Sequence, residues 1–326
     1  MVTAVALGLL SGCGQDEVGG DGPEWPASSD PVDPTGLIWA TGSTVHLSDG
    51  TTIDTGHTLG PYAVAGDGVF FTTDAEATGT PAESGPTPSR LYFADRAGAV
   101  TDTGVDAYTF SASPDGRYLG LLDLTSGEQD EFGTRQAETV VVDLRTGEEV
   151  VRSTAGMGDP DADDLASLYS EAVLGVSRVT DDTAYVEAVG ATYAFDLATG
   201  EGELAPDDLD LSYPPFDDRT SPDGAWRILD DESWQDQLVP ADGERVTPDS
   251  GTARRDLVWW VDDITVAGFA ISGPGTGSQL AADDRGTLMT CVVPSGACEV
   301  LEETAGTTVR FPTGTTDYAT VTLPGG

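Results

Sequence analysis

The chain has 326 residues, enough for one large all-β domain or two ordinary ones, and carries 57 acidic against 14 basic residues, a formal net charge of -43. So acidic a surface repels phosphate backbones and gains nothing from anionic lipid, which argues against nucleic acid as a partner. All the basic residues are arginine, and asparagine is absent as well as lysine, which removes P-loop, Schiff-base and lysine-base chemistry and any N-glycosylation sequon.

Val2–Leu10 is an apolar run too short to span a bilayer. It has the dimensions of the hydrophobic region of a secretory signal. Leu10-Ser11-Gly12-Cys13 follows directly and resembles the lipobox of bacterial lipoproteins, whose cysteine is lipidated. The resemblance implies a signal over residues 1–13, a lipid on Cys13, and an extracytoplasmic domain held to the cell membrane of a bacterium. Met1-Val2-Thr3 departs from the pattern in having no positive charge, so the natural start is expected a few codons upstream. Gly14–Thr35 is rich in Gly, Pro, Asp and Ser and has no periodicity. It is expected to be a disordered tether spanning roughly 25 Å as a flexible coil.

From residue 36 to 326 the pattern is short apolar runs separated by turn signals, which predicts an all-β fold. One hairpin turn recurs as Asp143-Leu144-Arg145-Thr146-Gly147-Glu148 and Asp196-Leu197-Ala198-Thr199-Gly200-Glu201, each after an apolar strand. Weaker copies lie near Asp49, Asp95, Asp242 and Ser295. A second turn interleaves with the first, as Ser113-Pro114-Asp115-Gly116 and Ser221-Pro222-Asp223-Gly224, with Pro and Gly where a type I turn prefers them. Degenerate versions fall at Asp67, Asp181 and Asp262, mostly about 40–48 residues apart, the spacing of a four-stranded propeller blade. The SPDG turns resemble those of TolB-like and WD40-like β-propeller repeats. That resemblance implies a β-propeller, and counting hairpins gives six four-stranded blades. The run Thr307–Leu323 is expected to supply the strand the first blade lacks; seven blades result if both C-terminal runs pair.

Alternating strand direction puts both turn types on one face of such a propeller. The long segments then share the opposite face: Thr73–Ser89, Thr125–Ala137, Thr154–Ser170, Asp230–Gln235 and Ser272–Gly286. Long connections in a compact domain are often functional, so a ligand is expected there. The candidates on it are Trp234, Asp231, Glu232, Phe132 and Arg135.

Catalytic signals are sparse. The two histidines, His46 and His57, have no nucleophile paired with them by motif, and GxSxG is absent, so both read as structural. Asp115 and Asp223 read as turn formers. Asp159, Asp161 and Asp163 alternate as in the first half of an EF-hand, which makes them candidate Ca²⁺ ligands. Against that, Asp164 stands where glycine is needed and Glu171 falls one place too far. No other cofactor is expected. Cys291 and Cys298 flank a turn whose Gly296 aligns with Gly147, which places them opposite one another on adjacent strands, within disulfide reach. The reading is a membrane-tethered monomer acting as a binding or scaffold module for a protein or cell-envelope partner. The alternative is a hydrolase or lyase acting on glycans or lactones through carboxylates on the long-loop face.

Overall fold

The structure is a computed structural model, describing residues 23, 25–74, 88–206, 209, 211, 219–230, 233–275, 280–316 and 319–325. The lipobox and Cys13 lie outside the described residues, as do most of 73–89, both Asp231 and Glu232, and part of the 272–286 loop.

The chain is almost entirely antiparallel β. It starts with β1 (Trp39–Thr41), β2 (Thr44–His46) and β3 (Thr52–Asp54). Then come β4 (Leu59–Ala65), β5 (Gly68–Thr73), β6 (Ser89–Asp95), β7 (Val100–Ala112), β8 (Tyr118–Asp123), β9 (Glu138–Asp143) and β10 (Glu148–Ser153), joined in one seven-stranded sheet. A short helix α1 (Leu165–Glu171) precedes the third sheet of β11 (Gly175–Val179), β12 (Thr183–Ala188), β13 (Ala191–Asp196) and β14 (Gly202–Leu204). The fourth sheet has β15 (Trp226–Leu229) and β16 (Gln237–Pro240), and the fifth has β17 (Arg254–Trp260), β18 (Thr265–Ser272), β19 (Arg285–Val292) and β20 (Ala297–Leu301). Last come β21 (Thr308–Arg310) and β22 (Thr320–Thr322), which return to the first sheet and give it the order β22-β21-β1-β2-β3. Both C-terminal runs therefore pair, but with each other and with β1, inside a single sheet.

The turns follow from their side chains. In the first turn type Asp143 Oδ1 accepts from the amide of Arg145 at 3.0 Å, and Asp196 Oδ1 accepts from Ala198 and Thr199 at 2.9 and 2.8 Å. Gly147 and Gly200 then adopt φ of 73° and 74°, a region where glycine has no Cβ to strain. In the second type Ser113 Oγ donates to Asp115 Oδ1 and Ser221 Oγ to Asp223 Oδ1, both at 2.7 Å. Asp115 and Asp223 are turn formers, as expected. Arg117 in one turn pairs with Asp143 in the other at 2.6 Å, and Gly66 N donates to Gly116 O at 2.8 Å, so both turn types crowd one face.

Side chains alternate along each strand, so every sheet has two faces to bury. Along β5, Phe71 packs with Val45, Ile53 and Tyr62 between the first and second sheets, while Phe70 turns the other way to meet Leu91, Leu119 and Val140. Leu122 and Val141 meet Val186 and Phe195 of the third sheet. Ile228 and Leu238 of the fourth meet Leu257 and Met289 of the fifth. Finally Trp259 and Phe269 of the fifth meet Trp39 and Val309 of the first. Apart from the third and fourth, sheet thus packs on successive sheet, and last packs on first: the chain is a β-propeller. Between the third and fourth sheets no such cluster occurs among the described residues.

Two features depart from the expected pattern. The long segment Thr154–Ser170 runs into α1, whose first turn is capped by the Asp164 side chain accepting from Ser167 N. The expected disordered tether over 14–35 is corrected for its C-terminal part. Trp25 and Val32 are 9% and 3% exposed, and Val32 N donates to Gly66 O at 2.7 Å. A segment without periodicity can still be held when neighbouring turns offer it backbone partners and pockets.

Candidate functional site

The long-loop face carries two constructions of interest. In the first, Arg254–Trp260 enters its sheet beside the 230–235 loop. Asp230 follows β15, Asp236 precedes β16 and Asp256 lies in β17, and a carboxylate oxygen from each lies within 4.8 Å of the others. Asp236 is 2% exposed and accepts from Leu257 N at 2.9 Å. Arg219 reaches Asp230 at 2.9 Å and Leu257 O at 2.8 Å. Burial, with Asp236 adding repulsion against a smaller pull from Arg219, pushes the Asp256 carboxyl up to about 6.

Beside this cluster lies a cleft of about 230 Å³ walled by Trp234, Val258, Phe269, Leu280 and Leu323, with Asp256 on its lining. Trp234 is half-buried here and has φ of 59°, while its carbonyl accepts from Arg255 N at 2.7 Å. The neighbouring loop is fixed by the buried pair Arg254–Asp284 at 2.6 Å. Asp284 also accepts from Gly275 N and Ala281 N, and with Arg254 as the main cause its pKa falls to about 2. Three carboxylates this close could hold a hard cation, and a carboxyl titrating near 6 is suited to proton transfer.

The second construction is the 125–137 loop. Asp130 is 6% exposed, and its Oδ1 accepts from Phe132 N at 3.0 Å and Thr134 N at 2.8 Å. Its Oδ2 accepts from Leu165 N of α1 at 2.9 Å. Tyr169 OH donates to Met157 O at 2.8 Å and accepts from Ala137 N at 2.9 Å. Two long loops are thereby fastened together, and Phe132 stands 65% exposed at the tip of one. Arg135 is exposed and folds back on its own loop, donating through Nη1 to Gly127 O at 2.9 Å.

The carboxylates of Asp159 and Asp163 bond within the turn before α1. Asp159 Oδ1 accepts from Asp161 N at 3.0 Å, and Asp163 Oδ2 from Asp159 N at 2.8 Å. Among the described residues, the carboxylates that converge are those of Asp230, Asp236 and Asp256. These belong to two sheets and a loop, so no spacing in the sequence announces them. His46 stacks on Trp39 with centroids 3.7 Å apart, and burial holds its pKa below the usual value, which suits a structural histidine. Cys291 and Cys298 are register partners on β19 and β20 and are joined by a disulfide.

No family model matches the chain, and no curated protein does. Among solved structures it is similar to TolB from Acinetobacter baumannii (12% identity, TM-score 0.31, covering 79% of this chain and 61% of that one). It is also similar to a putative TolB from Agrobacterium tumefaciens (13%, 0.27, 76% and 82%). A third is the β-propeller domain of the Trilobed protease from Pyrococcus furiosus (11%, 0.27, 74% and 70%). The chain spans less than two thirds of the length of the Acinetobacter TolB. The propeller assignment rests on this chain's own sheet packing.

Proposed function

We propose that this chain is a lipid-anchored extracytoplasmic β-propeller that binds a protein or cell-envelope partner through its long-loop face, acting as a monomer with six blades. In this count the seven-stranded sheet makes two blades that share β7. The observation that carries the reading is Phe132, 65% exposed on a loop locked by Asp130. A large aromatic held rigid and in water loses little entropy on docking, which is the character of an interface anchor. Crosslinking and pull-down of the lipidated protein from its own membranes tests it. A specific partner is retained by the wild type and lost with Phe132→Ala, while a change on the short-turn face such as Asp242→Ala leaves capture intact. Equal capture by all three overturns the reading.

A second reading is favoured by Asp256. A carboxyl titrating near 6, with the carboxyl oxygens of Asp230 and Asp236 within 4.8 Å of it, gathers the acidic groups that a hydrolase or lyase of glycans or lactones requires. Under this reading Asp256→Asn abolishes turnover of such substrates without unfolding the protein.

A further inference from the structure

The segment ahead of β1 crosses the face opposite the long loops. Ser48 Oγ, in the β2–β3 turn, donates to Thr35 O at 2.6 Å. Val32 N donates to Gly66 O in the β4–β5 turn at 2.7 Å, and Ser28 N to Leu144 O in the β9–β10 turn at 2.8 Å. Arg96, in the β6–β7 turn, donates through Nη2 to the carbonyls of Asp30 at 3.2 Å and Pro31 at 2.6 Å. All four turns are short and belong to one face. Two apolar side chains reinforce these bonds: Val32 enters the core between the first two sheets, and Trp25 joins the cluster of Phe70 and Leu119. At the far end Trp25 Nε1 donates to Glu149, which Arg152 grips together with Glu138.

We propose that Trp25–Thr35 is a docking strap that turns the short-turn face toward the membrane and leaves the long-loop face pointing away from it. This rests on the reading of Cys13 as the anchor. The reasoning is one of reach. A chain of n residues spans at most roughly 3.5 Å times n. Between Cys13 and Thr35 that limit is about 75 Å, and between Cys13 and Trp25 it is about 40 Å. A compact domain of this size has a radius of gyration of about 19 Å, hence a diameter near 50 Å. Anchored at Thr35, the domain would tumble freely with either face to the bilayer. Fastened as far as Trp25, the anchoring chain is shorter than the domain is wide, which biases the short-turn face towards the bilayer. The strap converts a tether into a mount, and the face presented to partners is the one that carries Phe132 and Trp234.

The test uses full-length protein coupled through Cys13 to a maleimide lipid in phosphatidylcholine vesicles, so that it does not depend on natural lipidation. A donor dye is placed by p-azidophenylalanine at Asp242 on the short-turn face or Glu131 on the long-loop face, with an acceptor lipid in the bilayer. Energy transfer is expected to be at least twofold greater from position 242. Inserting twelve Gly/Ser residues between Cys13 and Trp25, which leaves the fold untouched, should bring the ratio to about one. Trp25→Ala combined with Arg96→Ala should move it the same way. Equal transfer from both positions in the parent protein overturns the strap. Detergent partitioning of naturally expressed protein, lost or kept in Cys13→Ser, decides the anchor reading separately.

Discussion

The indole Nε1 of Trp25 donates to Oε1 of Glu149 at 2.9 Å, across 124 residues of sequence. Burial pushes the Glu149 carboxyl up, but Arg152 and Trp25 together outweigh it and hold the group below its usual 4.5. A carboxylate lowered in the folded state contributes stability above its unfolded value, and that contribution is lost as pH falls through the folded one. The contact is therefore expected to hold at pH 7 and to loosen below pH 4.5. Trp25→Phe keeps most of the packing and should cost about 1 kcal/mol, the worth of one hydrogen bond. Trp25→Ala should cost about 3–5 kcal/mol. Denaturant unfolding of the two variants checks the difference, and hydrogen exchange of residues 25–35 at pH 7 and 3.5 checks the pH dependence.

Asp256 behaves oppositely. Its carboxyl titrates near 6 in the folded chain, against 3.8 for an ordinary aspartate, so the folded state binds the extra proton between those values. The contribution of this one group is greatest below pH 4 and is lost as pH rises towards 6. Asp256→Asn removes that cost and should stabilise the protein by about 2 kcal/mol at pH 8, with little effect at pH 4. Thermal unfolding of both proteins from pH 4 to 8 should show curves that diverge upward in pH. Parallel curves would mean that Asp256 is ionised and well solvated throughout.

The disulfide between Cys291 and Cys298 closes a loop of sequence separation 7. Chain entropy gives about 2.5 kcal/mol for so short a loop. Cys291→Ala with Cys298→Ala should lose about that much, with no change in ligand binding, because the hairpin turn between them lies on the short-turn face. Non-reducing digestion and mass spectrometry of the wild type should show the linked peptide.

At Phe132 stability and binding should separate. Its side chain is 65% exposed, so Phe132→Ala is expected to change stability by less than about 0.5 kcal/mol. Partner affinity is expected to fall by tenfold or more, since an anchor truncated at an interface costs about 2 kcal/mol. Asp130→Ala should do the reverse in part, lowering stability as the amides of Phe132, Thr134 and Leu165 lose their acceptor.

Turn chemistry made the fold legible. Asp143 and Gly147, or Ser113 and Asp115, write their hydrogen bonds within a few residues of themselves, so repetition of the pattern reports repetition of the sheet. The pairing of Cys291 with Cys298 was legible for the same reason. Trp25–Thr35 was not, because it is held by carbonyls and amides of turns up to about a hundred residues away, and such bonds leave no trace in side-chain periodicity. The convergence of Asp230, Asp236 and Asp256 was hidden likewise, since it depends on how two sheets meet. Of the carboxylates that did form a pattern, Asp159 and Asp163 accept backbone amides in the turn that leads to a helix.

The strand β7 runs from Val100 to Ala112, pairing with β6 through Ala107 and with β8 from Ala107 onward, with a register shift in each ladder. Elsewhere in the ring one sheet meets the next through packed side chains and scattered backbone bonds, such as Arg255 N to Trp234 O and Leu59 N to Gly42 O, with no continuous strand shared between them. At β7 the joint is the backbone itself. Force or heat applied to the ring will find its seams elsewhere, and residues 59–153 should open as one cooperative body. Their amides would then share a single, slow exchange regime, leaving the two-stranded sheet of β15 and β16 to yield first.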